Sequence, residues 1–473
     1  MADTRSSSES RVRKRAAARR IEAERIAKIR DQVKKHFTTN YHLKFDRYVG
    51  DGSHGGTGVF TALNPQSRGP IETEKYILKF SLGTLPNGED SDEHLRNEAS
   101  WLGYLSGSEH FIKSLYVNHL EVGNATGNGG GSGNAGGGSG SSRNSPGGSS
   151  GGSSGGGAGG NSARSPGSGL GGDPADTSGL AADMSGLSIE VPARTRGNSD
   201  DDDDDDDEHD IIPALILEYL PMGDLETLRE RLVAYGKPVP SRLLWGFALC
   251  LMRMCVGLAY YDFMEPGKQE EVPGGAVKPS TLCHNSIKGP NILLDGLRPD
   301  GEHGLTPLLK LIDFGRTGLV SEPREDYADG YGVYSNLFYM GSIIQTLASI
   351  DVPLVPGLSW IPRQMTWSWV NARDPDRVVV TTRANQGFCT NRRINVDLRL
   401  FVANLMSVHR NESDPDVRPT LRDALHTCRH FVRMPLHEMF RYSPPDGETD
   451  EDIQRFVAEV VLNAHPPPPP LAP

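Results

Sequence analysis

Cysteine is scarce in this chain of 473 residues: five, Cys250, Cys255, Cys283, Cys389 and Cys428, with no C-x-x-C pair among them. That excludes a disulfide-framework domain and argues against a metal site built from these cysteines. An apolar stretch of the kind a secretion signal carries is missing from the charged N-terminus. Both absences lead us to expect free thiols and an intracellular protein, cytoplasmic or nuclear. Apolar residues are also few, 36% of the chain, against roughly 45–50% with glycine counted in ordinary globular chains. Long apolar runs are nearly absent. The one candidate, Arg242 to Tyr261, has Arg253 in its middle and its apolar residues on a helical period. It reads as a buried core helix, so no membrane partner is expected. Positive charge is outnumbered, 49 Lys and Arg to 61 Asp and Glu, but much of the net charge of −12 comes from one run, Asp200–Asp207. No acidic-protein function follows from that.

What is present falls into segments. Residues 1–41 are basic and helical in pattern, with Ile21, Ile26, Ile29 and Val33 on a narrow stripe. A solvated or loosely docked helix is the plain reading; a nuclear-localisation or nucleic-acid patch is the sharper one. Nucleic acid is not the expected partner, because no aromatic residues interleave the basic ones. Residues 42–122 read as three strands, a helix with Leu95, Ala99, Leu102 and Leu105 on helical spacing, and a further strand. Residues 123–210 are Gly/Ser-rich and then poly-Asp, too apolar-poor to offset ordering entropy, and are expected to be disordered. Residues 211–222 resume as a strand, and 223–440 are mainly helical. In 441–473, Thr449 and Asp452 form a capping pair before an apolar face of Ile453, Phe456, Val457, Val460 and Val461, and the chain closes on HPPPPPLAP. That last run is a polyproline II ligand for an SH3- or WW-type groove, or a stiff terminus.

Four short stretches carry chemistry. YILKF places Lys79 on a strand after the glycine-rich turn containing Gly50, Gly52 and Gly55; Glu98 follows on a helix. LEYLPMGDL comes next, then HNSIKGPNILLDG from His284 to Gly296, and LKLIDFG ending in Asp313, Phe314 and Gly315. In this order and spacing they resemble the eukaryotic protein kinase-like superfamily, over roughly residues 42–122 and 211–435. The resemblance implies an α+β, two-lobed fold: an antiparallel-sheet N-lobe with one helix, split by the insertion, with 211–222 as its end and hinge, and a mainly helical C-lobe at 223–440. It implies ATP and Mg²⁺ as ligands. Gly50, Gly52, Gly55 and Val59 would cover the nucleotide, and Lys79, held by Glu98, would meet its phosphates. Glu218 and Leu220 would offer backbone groups to an adenine edge with Leu217 behind it. Asn291 and Asp313 would ligate the metal. Phe314, His284 and Leu102 would stack, and Arg418 would be a buried anchor.

The departures from the family pattern are as informative. His54 and Thr57 fall at glycine positions, Asn285 at the loop arginine and Ser286 at the catalytic aspartate. Lys288 is kept. The segment after Asp313 is short, lacks Ala-Pro-Glu and offers Glu322 or Glu325 as partners for Arg418; Asn336 stands at an aspartate that anchors the loop. A serine is no base at neutral pH, and losing one removes about 10²–10⁴-fold of rate. The sequence therefore resembles a pseudokinase: a protein that binds Mg·ATP with impaired or no phosphoryl transfer, acting as a scaffold or allosteric regulator on a protein partner. A working divergent Ser/Thr kinase with a protein substrate is the alternative. A nucleotide-independent interaction module is the third.

Overall fold

A computed structural model describes residues 2–40, 43–52, 55–62, 75–85, 88–105, 107–122, 210–264, 268–299, 301–320, 330–350, 363–368, 377–408, 418–440 and 446–462. The loop position His54, the candidate Arg418 partners Glu322 and Glu325, the Gly/Ser and poly-Asp stretch and the polyproline run lie outside them.

The basic N-terminal segment folds as one long helix, α1 (Ala2–Asn40). Ile21 stays exposed, but Ile26, Ile29, Val33 and Phe37 recur at helical spacing and make one stripe, half-buried at Ile26 and Ile29 and fully buried at Val33 and Phe37. Val33 and Phe37 pack on Phe60, Leu78, Phe80, Leu82 and Ala214. Arg25 fastens the same face by donating to the carbonyls of Leu82 (2.6 Å) and Thr84 (3.1 Å). Over its second half the helix is thus part of the packed unit.

The strands β1 (Leu43–Gly52), β2 (Gly55–Ala62) and β3 (Lys75–Phe80) are followed by α2 (Ser91–Tyr104), β4 (Ser114–Val122) and β5 (Asp210–Glu218). Among the described residues these make an antiparallel five-stranded sheet of order β1-β2-β3-β5-β4. Strand alternation sorts the side chains. Leu78, Phe80, Ala214 and Ile216 face α1, whereas Ile77, Leu215 and Leu217 join the larger core with Leu95 and Leu102 of α2. The mixed α+β class and the antiparallel sheet are as expected; the sheet carries a helix on each face rather than one.

Beyond the sheet come α3 (Leu225–Tyr235) and α4 (Ser241–Ala259). The apolar run of α4 is core: of its residues only Arg242 is not buried, and α5 (Gly330–Ala348) and α8 (Leu421–Arg433) pack against it. It is the one described helix long and apolar enough to cross a membrane, and it lies inside the protein. Arg253, without exposed surface, donates to Glu302 (2.6 Å), Gln269 (3.0 Å) and the Glu270 carbonyl (2.6 Å). Four short strands, β6 (Leu282–Cys283), β7 (Ile292–Leu294), β8 (Leu309–Leu311) and β9 (Gly318–Leu319), pair β6 with β9 and β7 with β8. A hairpin not foreseen from the sequence, β10 (Arg363–Ser368) with β11 (Arg377–Thr382), precedes α6 (Gln386–Thr390) and α7 (Val396–Leu405). After α9 (Leu436–Met439), Thr449 caps α10 (Asp450–Phe456), accepting from the Asp452 N–H at 3.2 Å, and a π-helical turn over Val457–Leu462 continues it. Ile453, Val457, Val460 and Val461 are buried there as expected, and Phe456 half-buried.

Candidate functional site

The register of β3 decides where Lys79 goes. Paired with Thr57 on one side and Leu215 on the other, it faces away from α1 into a cleft between the sheet and the β7–β8 pair. The cleft has a volume of about 280 Å³, at the small end of the roughly 300–1,000 Å³ usual for ligand pockets. Leu217 and Ile77 from the sheet and Leu293 and Ile312 from below give it apolar walls; Lys79, Glu98, Lys288, Asn291 and Asp313 give it charge and polarity.

Glu98 shares the buried face of α2 with Leu95 and Leu102, one turn to either side, and this fixes its direction. Its carboxylate pairs with Lys79, whose Nζ also lies 2.8 Å from Asp313 Oδ1. Burial alone would lower the Lys79 ammonium, but the Glu98 and Asp313 carboxylates outweigh it and raise it. Burial raises the Glu98 carboxyl in turn, and Lys79 opposes that. The two carboxylates therefore hold Lys79 in its charged form.

Asp313 sits at φ 69° and Asn285 at φ 59°, the two described non-glycine residues with positive φ. Asp and Asn tolerate this left-handed conformation better than most side chains. Asn291 ends a short helical turn begun by Gly289 and Pro290. Its Nδ2 donates to Asp313 Oδ2 (3.1 Å), to the Ser286 carbonyl (2.8 Å) and to Ser286 Oγ (2.9 Å). Ser286 does not line the cleft and reaches it only through Asn291.

His284 is fully buried against Phe314, ring centroids 4.9 Å apart and edge to face. Its Nε2 donates to the Ile312 carbonyl (3.1 Å) and its Nδ1 accepts the Ser286 N–H (3.3 Å), which sets the tautomer. Burial depresses the imidazole to about 4. A group whose folded value is depressed stabilises the fold above its unfolded value, here about 6.5, and loses that stabilisation as pH falls towards 4. His284→Asn should therefore flatten the acid limb: between pH 6.5 and 4 the native chain should lose about 3 kcal/mol more stability than the variant. Urea midpoints across that range measure it.

Of the expected site residues, Lys79, Glu98, Glu218, Lys288, Asn291 and Asp313 surround the cleft. Val59 pairs with Ile77 and lies on the cleft side of β2. For the others the structure gives different surroundings. Gly50 and Gly52 are ladder partners of Thr57 and Gly55 in the β1–β2 hairpin. Gly55, at φ 151°, is demanded by packing: a Cβ there would meet the Phe80 carbonyl oxygen at 2.5 Å. The Glu218 N–H is spent on the Lys113 carbonyl (3.1 Å), and its carboxylate takes the Lys113 N–H and Lys310 Nζ, both at 2.7 Å. Leu220 is half-buried against the core and outside the cleft. Arg418 is half-buried rather than buried, 4.5 Å over the Tyr334 ring. Asn336 keeps an anchoring role without charge: it accepts the His284 N–H (3.2 Å) and donates to the Leu282 carbonyl (2.8 Å).

One part of the site was missed. On α2, His94, Asn97 and Trp101 lie on one face and grip the turn after Asp313. Asn97 Nδ2 donates to the carbonyls of Phe314 (3.2 Å), Gly315 (3.0 Å) and Thr317 (2.9 Å), and Trp101 Nε1 to Thr317 (3.1 Å). His94 Nδ1 lies 2.9 Å from the Gly315 carbonyl. Three side chains able to hydrogen-bond, at helical spacing beside the apolar stripe, were the available signal.

Comparison with protein-family models and with curated proteins gives no match.

Proposed function

We propose that the cleft binds ATP with Mg²⁺ in the manner of a protein-kinase-like domain and transfers its phosphoryl group poorly or not at all. On this reading the sheet region is an N-lobe, the helical region a C-lobe, and the protein acts inside the cell as a scaffold or allosteric regulator of a protein partner. The observation that carries it is the charged constellation itself: Lys79 between Glu98 and Asp313, with Asn291 on the second oxygen of Asp313.

The donor set suits the ligand. Mg²⁺ takes oxygen ligands and keeps a few protein groups beside phosphates and water; Asp313 supplies a carboxylate, and Asn291, whose Nδ2 is engaged, its amide oxygen. When bound, the ion would neutralise phosphate charge. Lys79 would turn from Asp313 to the phosphates while Glu98 continues to hold it, and Lys288, exposed at the cleft, would add positive charge.

Impairment follows from what surrounds Ser286. The nearest imidazole, His284, is neutral, and its Nδ1 is occupied by the Ser286 N–H. The Ser286 hydroxyl is engaged by an amide donor. Among the described residues, no hydrogen-bond partner of the Ser286 hydroxyl can take a proton from a substrate hydroxyl. Mg·ATP should raise the melting temperature of the native chain, ATP with a chelator should do so far less, and Asp313→Asn should abolish the shift. A native chain that does not respond to Mg·ATP refutes the reading and leaves the nucleotide-independent interaction module.

A further inference from the structure

Three segments far apart in sequence converge on a fully buried point. His110 comes from the turn between α2 and β4, Cys250 from the middle of α4, and His303 from the connection between β7 and β8. Their candidate ligand atoms all lie within 4.8 Å of one another. Cys250 Sγ and His303 Nδ1 are 3.8 Å apart. In a tetrahedral zinc site with Zn–N of about 2.0–2.1 Å and Zn–S of about 2.3 Å, neighbouring N and S ligands stand about 3.6 Å apart.

Glu270 completes the arrangement. Its carboxylate takes the His110 N–H (2.9 Å) and lies 2.7 Å from His110 Nδ1, so ring and tautomer are fixed from behind. That is the relation in which a carboxylate orients a metal-binding histidine. It leaves His110 Nε2, which is buried without a hydrogen-bond partner, as is His303 Nε2. Buried imidazole nitrogens without partners are uncommon; His303 turns its other nitrogen, Nδ1, to the Cys250 sulfur.

We propose that His110, Cys250 and His303 bind a borderline-soft d¹⁰ cation, Zn²⁺, as a structural site with Glu270 orienting His110. A thiolate and a carboxylate balance the double charge of the ion in a place closed to water, and Glu302 with Gln269 takes up the charge of the neighbouring Arg253. Cys250 Sγ has both histidine rings beside it. Burial raises the other four thiols, Cys255, Cys283, Cys389 and Cys428. Such a site would tie the turn before β4, α4 and the β7–β8 connection together, and it stands apart from the nucleotide reading of the cleft.

The test uses the full chain, stripped with a chelator in mild denaturant, refolded and titrated with Co²⁺. The expected result is one equivalent bound, with a thiolate-to-cobalt charge-transfer band in the near ultraviolet that added Zn²⁺ removes. Cys250→Ser should lose the band, and His303→Cys, which keeps a three-donor set, should retain and intensify it. A folded native chain without the band overturns the proposal, whatever the variants do. Uptake that is equal in the native and Cys250→Ser chains and shows no band belongs to the Asp200–Asp207 run or other surface carboxylates, and overturns it too.

Discussion

Lys79→Met should lower the unfolding free energy by about 3–5 kcal/mol, the usual consequence of removing one partner from a buried ion pair. Methionine keeps most of the aliphatic stem, so the loss reports charge rather than volume. The Glu98 side chain is 1% exposed and that of Asp313 13%; without the ammonium two carboxylates face one another with little water to screen them. One of them must then take up a proton. Lys79→Met should accordingly be less destabilised at pH 5 than at pH 7. Glu98→Gln placed in the same background should recover part of the loss, because it removes a stranded charge. Urea unfolding of the four chains in the cycle measures the coupling. A loss below about 1 kcal/mol, the range of exposed pairs, would mean that Lys79 is not held between the two carboxylates.

On the proposed reading, Ser286→Asp should raise phosphoryl transfer from Mg·ATP by about 10²–10⁴-fold, the usual worth of a positioned general base. The surroundings favour the substitution: Asn291 Nδ2 already donates to the Ser286 side chain and would donate to a carboxylate instead. The neighbouring imidazole is neutral and gives that carboxylate no ion pair to hold it back. Single-turnover transfer from labelled ATP, with the native chain and Asp313→Ala alongside, decides the matter. A native chain already active, and silenced by Asp313→Ala, would show a base other than Ser286 and establish the working-kinase alternative. If Ser286→Asp stays inert while Mg·ATP still binds, the missing base is not the whole defect, and the substrate platform is at fault.

Much of this was legible in the sequence, and the reasons differ by element. Strand alternation in KYILKF and the helical recurrence of apolar residues from Leu243 to Ala259 follow from periodicity, and both elements form where it places them. Lys79, Glu98, Asn291 and Asp313 came from ordered motifs, and the structure brings them to one cleft. The docking of α1 was not legible, since a stripe of four apolar residues on a basic helix fits a solvated helix equally well. Nor was the spent N–H of Glu218, which depends on how β5 meets Lys113. The packing demand on Gly55 was not legible either, because a glycine needed for flexibility and one needed to clear Phe80 look alike in a sequence. His110, Cys250 and His303 carry no local spacing at all; only the fold assembles them.

The pairing of β4 with β5 has a topological consequence. Val122 stands opposite Asp210, so residues 123–209 connect the adjoining ends of two neighbouring antiparallel strands. In connectivity this is a hairpin whose connection happens to be very long. Closure entropy grows only by about 0.6 kcal/mol for each doubling of loop length, so the long connection is about 2–3 kcal/mol less favourable than a tight turn. The register, set by the ladder from Ser114 to Val122, does not need it. This stretch is accordingly a place where length and composition are free to drift while Lys79, two strands away in the chain and one strand away in the sheet, keeps its position. The consequence is kinetic: β5 must find both β3 and β4 across long sequence separations, with Lys79 opposite Leu215 and Ser114 opposite Leu217, and pairings of that kind slow folding.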